Sequence, residues 1–187
     1  MHLGSIADFD WKNEPDFNFY GDSIVVKPTK NTDFWQDKRH NINISSGHFF
    51  YSRKFNNFSI IAKWKVPEIL PQMAQFGLMT KIDSNNWCKI SLTKDKSNNP
   101  FILVAVTNDS VSDFCKFTVS GLSTIIYYKI QMIDSVCSVS YSFDKINFTL
   151  LRVFQFVKES QIYNIGAYTC NPGEQDFKVV LEDIDVF

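Results

Sequence analysis

Trp87 and Lys89 stand two residues apart in the run Trp87-Cys-Lys-Ile-Ser-Leu-Thr93, and Gln75 opens the apolar segment before it. Residues two apart in a strand share a face. An indole, an ammonium and the Thr93 hydroxyl therefore fall on one surface, with the Gln75 amide facing them if the two segments pair as a hairpin. That set can hold a sugar: an aromatic ring stacks on apolar C–H surface while polar groups bond to hydroxyls. The same residues admit a plainer arrangement, with Trp87 capping the edge of a sheet and Lys89 extending its ammonium to water. Phe34 and Trp35 are large aromatics inside the otherwise polar run from Lys27 to Asn41. They would form a rim or lid over such a surface, or plug the end of a sandwich.

Catalytic chemistry has thinner material. Glycoside hydrolysis needs two facing carboxyls, about 5–5.5 Å apart for retention or about 6.5–9.5 Å for inversion. The strand from Trp87 to Thr93 carries no acid; Asp33, Glu14 and Asp113 lie in turn-like stretches from which they could meet over it, or simply form turns and caps. Arg152 reads as a buried ion-pair partner or a groove ligand, and Asp113 is its natural partner. Glu182, Asp183 and Asp185 alternate with Ile184 and Val186, which suits a solvent-facing row on an edge strand better than a metal site. The histidines are His2, His40 and His48, and no G-x-S-x-G elbow presents a serine. Seven scattered glycines form no phosphate-cradling loop. Cys88, Cys115, Cys137 and Cys170 make no CxxC pair and lack histidines at zinc spacing. They read as free thiols in a reducing compartment. No cofactor and no metal is expected.

These groups need strands to position them. Phe76 and Leu78, then Cys88, Ile90 and Leu92, form one apolar set; Gln75, Gly77 and Met79, then Trp87, Lys89, Ser91 and Thr93, form the other. Asp83-Ser-Asn-Asn86 supplies the turn between the two arms. Pairing Leu78 with Ile90 sets Met79 against Lys89 and Gln75 against Thr93, and a one-residue slip would mix the two sets. Further strands are predicted within Phe9–Phe19, with a turn at Glu14-Pro-Asp16, and over Ser23–Lys27, His48–Tyr51, Phe58–Val66, Phe101–Thr107 and Phe117–Val119. Thr124–Ile133, Val136–Phe143, Phe148–Phe154, Ile162–Tyr168 and Phe177–Val186 complete the series. Asn108–Phe114 reads as a loop, Thr32–Trp35 as part of another, and Val157–Gln161 as one helical turn. Short strands at this spacing, with no long helical period, predict an all-β, two-sheet antiparallel β-sandwich or jelly roll. No linker or repeat divides the chain, so one domain over residues 1–187 is expected.

Composition narrows the partners. The chain has 187 residues, 44% of them hydrophobic and 18 of them Phe, enough for a large core. Net charge is −1, so nothing steers it toward nucleic acid or an acidic membrane surface. No run approaches the ~18 apolar residues of a membrane span. The opening MHLGSIADFD has neither a basic nor an apolar region of a secretory signal, which predicts a cytoplasmic protein. The N-x-S/T patterns at Asn43, Asn57, Asn108 and Asn147 then read as chance.

The ordered motifs carry a resemblance. Trp11-Lys-Asn-Glu-Pro15, Thr32-Asp-Phe-Trp35, Gln75-Phe-Gly-Leu-Met79, Asp83 and Trp87-Cys-Lys89 come first. Val106-Thr-Asn108, Ser112-Asp-Phe114, Tyr141-Ser-Phe-Asp144, Leu151-Arg152, Ile165-Gly166 and Asn171-Pro172 follow. Together they resemble a family of unknown function in the concanavalin A-like lectin/glucanase superfamily, related to the yeast "regulation of enolase" protein. The resemblance implies a jelly roll with a concave face. It also implies that Asp33, Trp35, Gln75, Lys89, Thr107, Asn108, Asp113 and Arg152 match motif positions around a groove. The chain departs from the family pattern in three places. Thr93 stands where an acid is usual, Phe114 where Trp is usual, and Lys145 where Gly follows Asp144. The glucanase pattern E-x-D-x-E is missing. The expected function is a non-catalytic intracellular domain binding a carbohydrate or polyol-like ligand. A regulatory protein-interaction module is the alternative, and a glycoside-active enzyme using Asp33 and Asp113 a further one.

Overall fold

The computed structural model describes residues 8–119 and 121–187. Residues 1–7, on which the absence of a secretory signal was partly read, lie outside the described residues, as does Ser120. Sixteen strands follow in order among the described residues. They are β1 (Asp10–Lys12), β2 (Asp16–Tyr20), β3 (Ser23–Lys27), β4 (Phe34–Asp37), β5 (Ile42–Ser45), β6 (His48–Phe55), β7 (Phe58–Lys65) and β8 (Gln75–Lys81). The second half supplies β9 (Trp87–Lys94), β10 (Pro100–Asn108), β11 (Val111–Thr118), β12 (Ile125–Ile133), β13 (Val136–Ser142), β14 (Thr149–Gln155), β15 (Ile162–Cys170) and β16 (Val179–Val186). Nine strands form one sheet in the order β1-β6-β15-β8-β9-β10-β11-β4-β5, and seven form the other in the order β14-β13-β12-β7-β16-β3-β2. Every ladder is antiparallel. The chain is an all-β sandwich of two antiparallel sheets.

Alternation of residue type builds the main core. In β7, Phe58, Ile60, Ala62 and Trp64 are buried while the residues between them are not. They meet Phe76 and Leu78 of β8 and Ile90 and Leu92 of β9 across the interior. The β8–β9 register is the one read from the sequence, with Leu78 opposite Ile90 and Met79 opposite Lys89. β8 is buried along its whole length, and β9 at all but its last residue. A second, smaller core on the outer face of the large sheet explains this, built from Phe34, Phe49, Met79, Trp87, Ala105 and Tyr168.

Phe34 shows how that outer core forms. It lies on β4, separated from β9 by β10 and β11, yet its ring meets Trp87 edge-on at 6.2 Å and Tyr168 at 6.3 Å. The large sheet therefore curls, and the β4–β5 ribbon folds back over its own outer face. Gly47, just past β5, allows the approach: a Cβ there would lie 2.4 Å from the Phe34 ring.

Several expectations change. Thr32–Trp35 is not all loop, because β4 begins at Phe34. Its hairpin with β5 turns through a 3-10 turn at Lys38–His40, capped by the Asp37 carboxylate on the Arg39 N–H and closed by Asn41 at φ 55. Asn108–Phe114 contains a tight hairpin turn, with positive φ at Asp109 and Ser110, and β11 starts directly after it. Asn108–Phe114 resembles a loop because β11 is a largely exposed strand with little apolar patterning. Phe9–Phe19 supplies two strands, one in each sheet. β16 is no edge strand: it lies between β7 and β3, and its acids are held by Lys63 on Glu182 (2.8 Å) and Lys145 on Asp185 (2.8 Å). No helix forms over Val157–Gln161, where the Val157 N–H is taken by Asn108 Oδ1 at 3.0 Å.

Candidate binding groove

Register sets the outer face of the large sheet in rows. Gly77 faces Ser91, Leu103 and Lys116 in one; Met79 faces Lys89, Ala105 and Phe114 in the next. Lys81, Trp87, Thr107 and Ser112 make a third. The folded-back ribbon covers the third row and part of the second. Beyond it the face stays open, at Gln75, Thr93 and Phe101. There a cavity of about 520 Å³ opens, lined by Asp33, Trp35, Met73, Gln75, Lys89, Thr93, Phe101, Leu103, Phe114 and Lys116, and by the β9–β10 turn from Lys94 to Ser97. This is within the usual size of a small-molecule site.

Lys89 marks the boundary between the covered and open parts. Its side chain is 1% exposed, and its Nζ donates to Asp33 Oδ1 at 2.9 Å. The ammonium lies 5.8 Å from the Trp87 ring and 5.7 Å from the Tyr168 ring. A buried cation needs such pairing, since an unpaired buried charge is costly. Asp33 Oδ1 is held further by the Phe34 N–H at 2.7 Å and the Cys170 thiol at 3.5 Å. Burial, with the nearby Asp33 charge, pushes the Cys170 thiol up, so it stays protonated and able to donate. Asp33 Oδ2 receives no hydrogen bond from the described residues.

The rest of the floor is polar and rigidly held. Gln75 is buried and its Oε1 accepts from the Tyr168 hydroxyl at 3.2 Å. Its amide nitrogen has no acceptor among the described residues. Thr93 is 3% exposed, and its Oγ1 is buried with no partner. The walls are aromatic: Trp35 meets Phe114 edge-on at 5.8 Å, and Phe101 faces the Lys116 ammonium at 4.5 Å. Asp95 also lines the cavity, but its carboxylate closes its own turn by accepting from the Ser97 and Asn99 N–H groups, which lower its pKa.

The sequence-derived residues separate into two groups. Asp33, Trp35, Gln75 and Lys89 come together around the cavity, as do Thr93 and Phe114, two of the positions that depart from the family pattern. Trp87 does not line it; Phe34 and the ribbon cover that ring, which is 1% exposed, so neither stacking on a ligand nor capping an edge describes it. Thr107 is fully buried and shares a 2.6 Å hydrogen bond with Ser112 Oγ, which also accepts from the Gln36 N–H of β4. It braces the ribbon. Asn108 ties the β10–β11 turn to Val157. Asp113 lies opposite Val106, a main-core residue, and so points to the inner side of the sheet. There it pairs with Arg152 Nη1 at 2.5 Å, closing the gap between β11 and β14. Of the two roles read for Arg152, the ion pair is the one present, and the pair faces away from the groove.

Phe101, Leu103 and Lys116 were not singled out by sequence. Phe101 was within reach, because carrying the Lys89 face across the β9–β10 hairpin sets it opposite Thr93. Leu103 follows by the same alternation. Lys116 required β11 to be seen as a strand.

The fold is shared by solved proteins. A functionally unknown protein from Saccharomyces cerevisiae superposes with a TM-score of 0.87 at 21% identity, covering 97% of each chain. A glycoside hydrolase family 43 protein from Bacillus licheniformis gives 0.73 at 13% identity over 96% of this chain, which spans 36% of that one. The exoplasmic/lumenal domain of VIP36, in a Ca2+/Man3GlcNAc-bound form, gives 0.63 at 12% identity, covering 96% of this chain and 83% of that one. At these identities the likeness shows the fold alone. No curated protein matches the sequence. The profile described as "Protein of unknown function (DUF1349)" matches residues 11–187, and the chain belongs to that family.

Proposed function

We propose that this chain is a non-catalytic binding domain whose groove takes a carbohydrate or polyol-like ligand. One observation carries the reading: aromatic walls at Trp35, Phe101 and Phe114 stand over a floor whose polar atoms lack protein partners. Thr93 Oγ1 is buried without a partner, and the Gln75 amide nitrogen and Asp33 Oδ2 make no hydrogen bond to a described residue. Hydroxyls of a stacked ring would satisfy them. The VIP36 domain, bound to Man3GlcNAc, offers an analogy of fold only.

The placement of the two acids read as a candidate pair, Asp33 and Asp113, supports a non-catalytic role. Asp33 is neutralised by Lys89, and Asp113 points to the opposite side of the sheet. Four free thiols support work in a reducing compartment such as the cytoplasm.

Calorimetry against a panel of oligosaccharides tests the reading. At least one should bind, and Trp35→Ala should weaken it by about tenfold or more while the melting temperature stays close to that of the parent. Silence across the panel with folded protein would overturn it. A protein partner captured through the same wall and lost with Trp35→Ala would favour the regulatory reading drawn from the yeast "regulation of enolase" kinship.

A further inference from the structure

We infer that the groove's ligand is an acidic saccharide, one carrying a carboxylate or a sulfate, and not a neutral sugar. The inference rests on the proposed carbohydrate reading. Four lysines line the cavity (Lys89, Lys94, Lys96 and Lys116) against two aspartates, Asp33 and Asp95. Both aspartates are already engaged. Asp33 is matched by buried Lys89, and Asp95 is folded into its own turn by the Ser97 and Asn99 N–H groups. Lys94, Lys96 and Lys116 have no carboxylate within ion-pair distance among the described residues.

The chain as a whole carries a net charge of −1, so this local surplus runs against its overall balance. A cleft lined by one sign of charge, with low-dielectric walls, concentrates the field and attracts the opposite charge. Lys116, though exposed, rests against the aromatic wall. Its ammonium lies 4.5 Å from the Phe101 ring centre and 6.0 Å from that of Phe114. An acidic substituent on a sugar held between these walls would come within reach of that ammonium. Thr93 below adds a hydroxyl and no charge; Asp33 is offset by Lys89 and Asp95 stays ionised within the field of Lys116, so four lysines against two aspartates leave a surplus of two positive charges at the cavity. Lys96, exposed in the turn, can follow the substituent as it binds.

Matched ligands that differ only in charge decide the matter. Galactose, galacturonic acid and galactose 6-sulfate oligomers, and the corresponding glucose and mannose sets, are titrated at low and at high salt. At least one acidic member should bind about tenfold or more tighter than its neutral counterpart, and the difference should shrink as salt rises. The double variant Lys96→Gln/Lys116→Gln, with its fold checked by circular dichroism, should bring the acidic-to-neutral ratio close to one. Which acidic arm responds assigns the anion as carboxylate or sulfate. Neutral members that bind as tightly as acidic ones would overturn the charge inference and leave the carbohydrate reading standing. No binding by any member would overturn both.

Discussion

At the residue scale the groove depends on one charge pair. Lys89 is buried on a β-strand between two aromatic rings, and Asp33 is its only carboxylate partner among the described residues. Removing one member of such a pair leaves a stranded charge, and the two losses should differ. Asp33→Asn should cost about 3 kcal/mol, measured by urea unfolding, because a buried ammonium is left facing a neutral amide. Adding Lys89→Met should recover most of that loss, since both charges are then gone and the methionine packs against Trp87 and Tyr168. Lys89→Met alone should cost less than Asp33→Asn, because the Asp33 carboxylate keeps the Phe34 N–H and the Cys170 thiol. Equal losses in the two single variants would mean that burial of Lys89 does not depend on Asp33.

At the scale of elements, His48 on β6 holds two connections in place. Its Nε2 accepts from the Thr29 N–H at 2.9 Å, so Nδ1 carries the proton and donates to the Asn13 carbonyl. One neutral ring thus joins the link between β1 and β2 to the link between β3 and β4. Burial lowers its pKa below the ordinary 6.5, against a smaller opposing contribution from the Asn13 hydrogen bond. The unfolded chain therefore binds a proton at a pH where the folded ring does not. The His48 contribution to stability is complete above pH 6.5 and declines as pH falls toward and through the folded pKa. Melting temperature followed from about pH 7.5 to about pH 5 should fall in the parent and fall less steeply in His48→Gln. Parallel curves would show that this imidazole does not carry the acid sensitivity.

The same scale shows where the sequence was informative. Strict alternation with a polar turn at Asp83–Asn86 made the β8–β9 register readable, because slipping Leu78 past Ile90 would mix the apolar set of the main core with the set on the outer face. The ribbon had no such signal. Ile42 and Ile44 of β5 are exposed, and Phe34 packs on the outer face of its own sheet, not in the main core. No period of two between core and solvent applies to a strand whose apolar partners lie several strands away. Trp87 was misplaced for the same reason: the face it shares with Lys89 is half core and half groove. Lys145 shows the reverse case. The family pattern expects Gly there, and the residue does adopt φ 65, with its N–H taken by Ser142 Oγ at 3.1 Å.

At the scale of the molecule, three of the four thiols are sealed in. Cys88, Cys137 and Cys170 are 0% exposed, and burial raises the pKa of each. Cys115 on β11 is half-buried. Thiol labelling of native protein should therefore modify Cys115 first, reach Cys170 only when the β4–β5 ribbon lifts from the outer core, and reach Cys88 and Cys137 only through opening of the sandwich. Mass spectrometry after brief exposure to a maleimide, with and without urea below the unfolding midpoint, checks the order. Early labelling of Cys88 or Cys137 would show that the two sheets separate far more readily than their packing indicates.

β4 meets β11 through a single ladder pair, Asp37 with Val111, assisted by the Lys38 N–H on the Ser110 carbonyl. The wall that carries Trp35 is thus positioned by side chains such as Phe34, Gln36 and Ser112 more than by a continuous main-chain ladder. Side chains change one codon at a time, whereas a ladder changes only with the whole strand. Groove width in this architecture is consequently set by a few side chains, and single substitutions can change it while the sandwich beneath stays the same.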